Sequence, residues 1–94
     1  MDTTIRDHDD RFEIFLGGDV AGVARFADDG VTRTFFHTEV VPQLRGRGLA
    51  AELVSHALEN TRRAGKQIVP ACSYVADYVR RHAEYHDLLD TTDA

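Results

Sequence analysis

Arg11-Phe12-Glu13-Ile14-Phe15-Leu16 alternates, with Phe12, Ile14 and Leu16 on one side, which is the period of a half-buried strand. Gly17-Gly18-Asp19 signals a tight turn. Val20 to Ala27 then reads as a second strand closed by Asp28-Asp29-Gly30, and Val31 to Val41, rich in Thr, Phe and Val, as a third. Connections this short join antiparallel neighbours, so the three strands form a meander. The period changes at about Arg47. From about Arg47 to Ala64, Ala50, Leu53, Val54, Ala57, Leu58 and Ala64 share one helical face, and Glu52, His56, Glu59 and Arg63 lie on the other. Arg62 and Arg63 suit the negative end of the helix dipole, and Gly65 follows as a C-terminal stop.

Gln67 to Ala71 is a short, continuous apolar run, too short for a helix. Ser73 is expected to cap a last helix, from about Tyr74 to Arg81, that turns Val75, Tyr78 and Val79 to the core. The residues before Arg11 read as a polar lead, and those beyond His82 as a turn or short extended tail. The expected class is α+β in the order βββαβα, one domain over 1–94 with its core at about 11–86 and frayed ends. A helix-long connection predicts that the last strand lies beside and parallel to the third.

The junction between the third strand and the long helix carries the chemistry. Glu39-Val40-Val41-Pro42 ends a strand, and Gln43-Leu44-Arg45-Gly46-Arg47-Gly48-Leu49-Ala50 makes a glycine-spaced, doubly cationic entry to a helix. Backbone N–H groups at such an entry converge ahead of a positive helix end, which suits a phosphate or pyrophosphate. Arg45 and Arg47 add charge-assisted donors at the rim. A nucleotide-binding P-loop needs G-x-x-x-x-G-K-[ST], whereas Leu49 follows the last glycine here. A dinucleotide fingerprint needs a third glycine where Ala51 stands, and the proline-ended strand and missing acidic partner also argue against it. The plain alternative is a turn whose glycines serve steric needs alone.

Gln43-x-x-Gly46-x-Gly48 resembles the Q/R-x-x-G-x-G/A signature of the GNAT acetyltransferase superfamily. The longer pattern Val40-x-Pro42-x-x-Arg45-Gly46-x-Gly48, together with His37-Thr38-Glu39-Val40, Cys72-x-Tyr74 and Tyr78-Val79, resembles a short, stand-alone GNAT-like family. The likeness runs from Phe12 to Tyr85 and implies a minimal GNAT fold. It implies acetyl-CoA or CoA as the ligand, its pantetheine arm lying in a splay between the third and last strands. The implied contacts are Val40, Val41, Gln43, Leu44, Arg45, Gly46, Arg47, Gly48, Leu49, Ala50 and Ser73, with amides from Leu44 to Ala50 on the pyrophosphate. The implied reaction moves an acetyl group to a primary amine, either a small amine or a protein lysine. The usual domain has two helices between its first strands that shape the acceptor pocket; here Gly17-Gly18-Asp19 stands in their place. A module that binds CoA or a protein without turnover is the competing reading.

Four residues are candidates for the chemistry. His37 and Glu39, two apart on a strand, share a face, and the same count puts Arg33 and Phe35 there too. A carboxylate beside an imidazole can take a proton; a structural ion pair with Arg33 is the other reading. Cys72, at the end of the last strand and next to the N-terminus of the last helix, is either an activated nucleophile or a small buried hydrophobe. Tyr78 is the candidate proton donor to the leaving thiolate, with Tyr74 and Tyr85 as alternatives or packing aromatics. His82 and His86 stand four apart without a third ligand, so no metal is expected.

Composition narrows the partners. A net charge of −5 over 94 residues argues against nucleic acid despite the Arg-Gly-Arg-Gly run. One cysteine makes no internal disulfide, and no apolar run suggests a membrane span, which together give the expectation of a cytoplasmic protein. The acidic ends, Asp7 to Asp10 and Asp87 to Asp93, read as solvated. A free meander edge allows a monomer or a weak homodimer.

Overall fold

The computed structural model of the chain describes residues 2–89. The elements are β1 (Thr3–Asp7), β2 (Arg11–Leu16), β3 (Asp19–Asp28), β4 (Thr32–Val40), α1 (Leu49–Arg63), β5 (Gln67–Pro70) and α2 (Ser73–Arg81), with short 3-10 helices at Pro42–Leu44 and Ala83–Leu88. They form one sheet in the order β1-β2-β3-β4-β5. The first four strands are antiparallel, and β5 runs parallel to β4, as the helix-long connection requires.

The meander thus has four strands rather than three. Residues 3–7, expected as a polar lead, pair with β2 in the register Ile5↔Ile14. Ile5 is the lone large apolar residue there, too little for the alternation to be visible in the sequence. Side chains complete the attachment: the Asp7 carboxylate accepts from Asn60 at 3.0 Å and lies 2.9 Å from His56 Nε2. Asp10 pairs with Arg11 and Asp87 with Arg62, so these members of the acidic ends are ion-paired rather than merely solvated. Asp90 and Asp93 lie outside the described residues.

The core fills one face of the sheet. Phe12, Phe26 and Phe35 form an aromatic cluster with centroids 5.2 to 6.4 Å apart, and Leu53, Val54, Ala57 and Leu58 of α1 close over the core with Val75 and Val79 of α2. Thr61 is buried on α1, its hydroxyl donating to Ala57 O at 2.8 Å, whereas Ala64, expected on the apolar face, is exposed beyond the last turn. The expected tail after His82 is instead a 3-10 helix that buries Tyr85 and Leu88. Arg62 holds it, donating to Glu84 O and to both oxygens of Asp87.

Candidate functional site

Strand β4 changes character at Phe36. Residues Thr32 to Phe35 pair with β5, and the Cys72 N–H donates to Phe35 O at 2.8 Å, which ends the ladder. Beyond it β4 continues to Val40 while the chain after β5 turns into α2, so among the described residues no strand lies on that edge. Val41 N–H donates to Ala21 O of β3 at 2.8 Å. Backbone groups alternate along a strand, so those of Thr38 and Val40 aim into the gap. The gap is a cleft of about 540 Å³, bounded by His37, Thr38, Glu39 and Val40, by the loop before α1, and by Tyr74 of α2.

The loop supplies the polar groups of a cleft whose walls are otherwise largely apolar. Val41 O and Pro42 O accept from the amides of Leu44 and Arg45 in a 3-10 turn, which removes these two N–H groups from any cradle. Gly46 and Gly48 then take φ of 85° and 79°, a conformation that side chains disfavour, and Gly48 becomes the N-cap of α1. The first bond inside α1 runs from Glu52 N–H to Gly48 O at 3.0 Å. The amides of Leu49, Ala50 and Ala51 come before it and face the positive helix end. Arg45 folds back so that Nε donates to Val40 O at 3.4 Å.

The bulge decides which way the candidate residues point. Arg25 pairs with His37 and Phe26 with Phe35, so Phe36 is an extra residue in β4. Face alternation resets there. Phe35 and Arg33 face the helices, Arg33 donating to Asn60 at 2.7 Å and lying 3.1 Å from Asp28. His37 and Glu39 face the opposite side, 3.3 Å from one another, and not the side shared by Arg33 and Phe35. The expected common face is therefore corrected, and with it the ion pair with Arg33.

Cys72 occupies the N-cap of α2, and the helix begins at Ser73 rather than after it. The cause is the extra ladder bond to Phe35, which keeps Cys72 extended. Ser73 is therefore not the cap. Burial pushes the Cys72 thiol up, but donors outweigh it and leave it below its ordinary value: the N–H groups of Val75 and Tyr74, and the hydroxyl and N–H of Thr38. Sγ lies 3.6 Å from Thr38 Oγ1.

Tyr78 is turned away from the main cleft and stacks on His82, with ring centroids 3.9 Å apart. Tyr74 borders the cleft instead, and its hydroxyl is pushed above the ordinary tyrosine value, chiefly by burial. His82 Nδ1 donates to Tyr78 O at 2.7 Å and His86 Nε2 to Val79 O at 3.0 Å, so both rings close the end of α2. Among the described residues no group of three or more His, Cys, Asp or Glu could hold a metal.

The fold thus brings His37, Glu39, Val40, Leu44, Arg45, Gly46, Gly48, Leu49 and Ala50 to one cleft. Val41, Gln43, Arg47, Ser73, Cys72 and Tyr78 lie outside its lining, Cys72 adjoining it through Thr38. Thr38 and Ala51 were missed. Thr38 sits between two chosen residues, but its role depends on the opposite strand face, which charge and motif do not reveal.

Comparison with known proteins bears on the family and the fold. The family profile described as GCN5-related N-acetyl-transferase matches residues 11–88. Among solved structures, a GCN5-like protein of Staphylococcus aureus has a TM-score of 0.72 at 20% identity, covering 93% of this chain and 87% of that one. The ribosomal-protein-S18-alanine N-acetyltransferase of Escherichia coli has a TM-score of 0.61 at 19% identity, covering 82% of this chain and 54% of its own. A GCN5-related N-acetyltransferase of Kribbella flavida has a TM-score of 0.60 at 23% identity, covering 74% and 21%. No curated protein matches. At these identities the structural likeness speaks for the fold, and the profile, spanning most of the chain, for the family. The chain belongs to the GCN5-related N-acetyltransferase family, whose members are acyltransferases.

Proposed function

We propose that this protein binds acetyl-CoA and transfers its acetyl group to a primary amine, on a small molecule or a protein. The observation that carries this reading is one juxtaposition: a strand edge at Thr38 and Val40, with no described strand beside it, lies next to the amides of Leu49, Ala50 and Ala51. An arm containing amide groups fits the first as an added strand would, and a diphosphate fits the second. Gly46 and the amides that follow it would hold the diphosphate, with Arg45 at the rim. When bound, the thioester supplies an activated acetyl group.

The remaining roles follow from position. Cys72, with its thiol drawn toward thiolate, is the group we assign to receive the acetyl: Sγ attacks the carbonyl carbon, the bond to the departing sulfur breaks, and the incoming amine later displaces Cys72. Glu39 and His37 are the groups to take the amine proton, and Tyr74 is better placed than Tyr78 to return a proton to the departing thiolate. Calorimetry with acetyl-CoA and thiol release over a panel of polyamines and peptides test the reading. Binding abolished by Gly48→Glu, and an acetyl adduct on Cys72 by mass spectrometry, are expected.

A second reading has its own support. Tyr78 is stacked on His82, and His37 and Glu39 face the side opposite the helices, so acid and base are not assembled on one face. A CoA-binding module would bind the ligand yet release no thiol with any acceptor.

A further inference from the structure

Both helices pack on one face of the sheet, and among the described residues no element covers the other face, whose side chains are half-buried or exposed apart from Thr32 at the start of β4. A row of basic residues crosses it. Arg11 is the cross-strand partner of Arg25, and Arg25 of His37. Their neighbours Phe12, Ala24 and Phe26 are buried beneath the helices, so the row points outward. Like charges directly opposite one another weaken a sheet. Arg11 is compensated by Asp10 and Glu13, and His37 Nε2 lies 3.3 Å from Glu39. Among the described residues the Arg25 side chain has no hydrogen bond or close ion pair, its electrostatic partner being the Asp10 carboxylate, which it helps Arg11 to hold down. His37 belongs both to this row and to the cleft lining, and Phe36 beside it is 51% exposed.

We propose that the acceptor is an acidic peptide segment, its amine entering the cleft beside His37 and a following carboxylate pairing with Arg25 and Arg11 on the uncovered face. This rests on the transfer reading above. Strands about 4.8 Å apart put Arg25 and Arg11 about 5 and 10 Å from His37, within reach of the next one to three residues of an extended chain at about 3.3 Å per residue. The net charge of −5 repels an acidic partner elsewhere, so this row is what orients it. The adjacent row, Glu13–Val23–Glu39, presents carboxylates beside the cations. An isolated acidic side chain fits that pattern, whereas the repeated phosphates of a nucleic acid would meet Glu13 and Glu39.

The test uses peptides identical except for Glu, Gln or Lys at the two positions after the acceptor lysine. Each is titrated by NMR into labelled full-length protein with CoA present, at low and at physiological salt, and then assayed for thiol release from acetyl-CoA. At low salt the Glu peptide is expected to bind about fivefold more tightly than the Gln peptide, with shifts at Arg11, Arg25 and His37, and the margin shrinks as salt rises. Arg25→Gln removes the preference and Arg25→Glu turns it toward the Lys peptide, while acetyl-CoA affinity is unchanged. Equal binding of the three peptides, or tighter binding of a single-stranded oligonucleotide, overturns the proposal. A Glu preference without thiol release sustains the acidic-peptide row and sinks the transfer reading instead.

Discussion

Strand β4 is two different strands on either side of Phe36. Its first half lies between β3 and β5, carries Phe35 into the aromatic cluster, and is tied to α1 through Arg33. Its second half has β3 on one side and a cleft on the other. The first half is closed because its backbone groups are satisfied within the sheet. The second is met there only by side chains, Arg45 at Val40 O and Cys72 at the Thr38 N–H, and a strand edge with no described strand beside it is what an incoming chain-like ligand can join. Substitutions in the closed half are therefore expected to change stability, and those around the open half to change binding.

Phe35→Ala is the strongest test of the closed half. It empties the centre of the aromatic cluster and is expected to lower unfolding free energy by about 3–5 kcal/mol in urea. Should acetyl-CoA affinity fall while stability holds, the division of β4 is wrong. Gly48→Glu tests the open half, because a side chain at φ of 79° distorts the helix entry and adds a carboxylate to the anion cradle. Acetyl-CoA binding is expected to be lost by calorimetry, while the strained φ lowers unfolding free energy by only about 1–3 kcal/mol.

Gly22→Ala sharpens the boundary between the halves. A Cβ there would stand 2.9 Å from Glu39 O and 3.2 Å from Val40 Cγ2, pushing the open half outward. The expected cost is about 1–3 kcal/mol, together with weaker acetyl-CoA binding, read by denaturation and calorimetry side by side. Thr38→Val removes the hydroxyl donor to Cys72. Iodoacetamide should label the parent protein with a pH midpoint below that of an ordinary thiol, and the variant with a higher one. Identical profiles would mean that Thr38 does not tune the thiol.

The smallest effect belongs to the turn that starts β4. Lys66, followed by the Gly30 N–H, holds the Asp28 carboxyl down at about 2 from 3.8. A lowered carboxylate adds stability that is complete above the unfolded value and fades as pH falls from about 3.8 toward about 2. Lys66→Met is expected to flatten that part of the stability–pH curve and to cost about 1 kcal/mol at neutral pH. Acetyl-CoA binding should be untouched, since this turn lies at the closed end of β4.

Several elements were legible because one local signal carried them. The alternation of Phe12, Ile14 and Leu16, the helical period from Leu49 to Leu58 and the glycine-spaced entry at Gly46 and Gly48 each depend on neighbours within a few residues. β1 was missed because Thr3 to Asp7 offers one large apolar side chain and is held by the remote His56 and Asn60. The segment after His82 was missed because its helix depends on Arg62 reaching Glu84 O and Asp87 from α1. The faces of His37 and Glu39 were misjudged for a sharper reason. One inserted residue, Phe36, reverses every side chain beyond it, and nothing in the local pattern announces the insertion.

By itself, the sequence determined the class of fold, the parallel return of the last strand and the anion-suited start of the long helix, since these follow from periodicity, chain connection and backbone freedom near at hand. Only the tertiary structure decided that β5 leaves β4 after Phe35, that Thr38 meets Cys72, and that Arg11, Arg25 and His37 form one row. Those are contacts between residues far apart in the chain, set by register and by a bulge, and a strand's own residues do not encode which partner stands opposite.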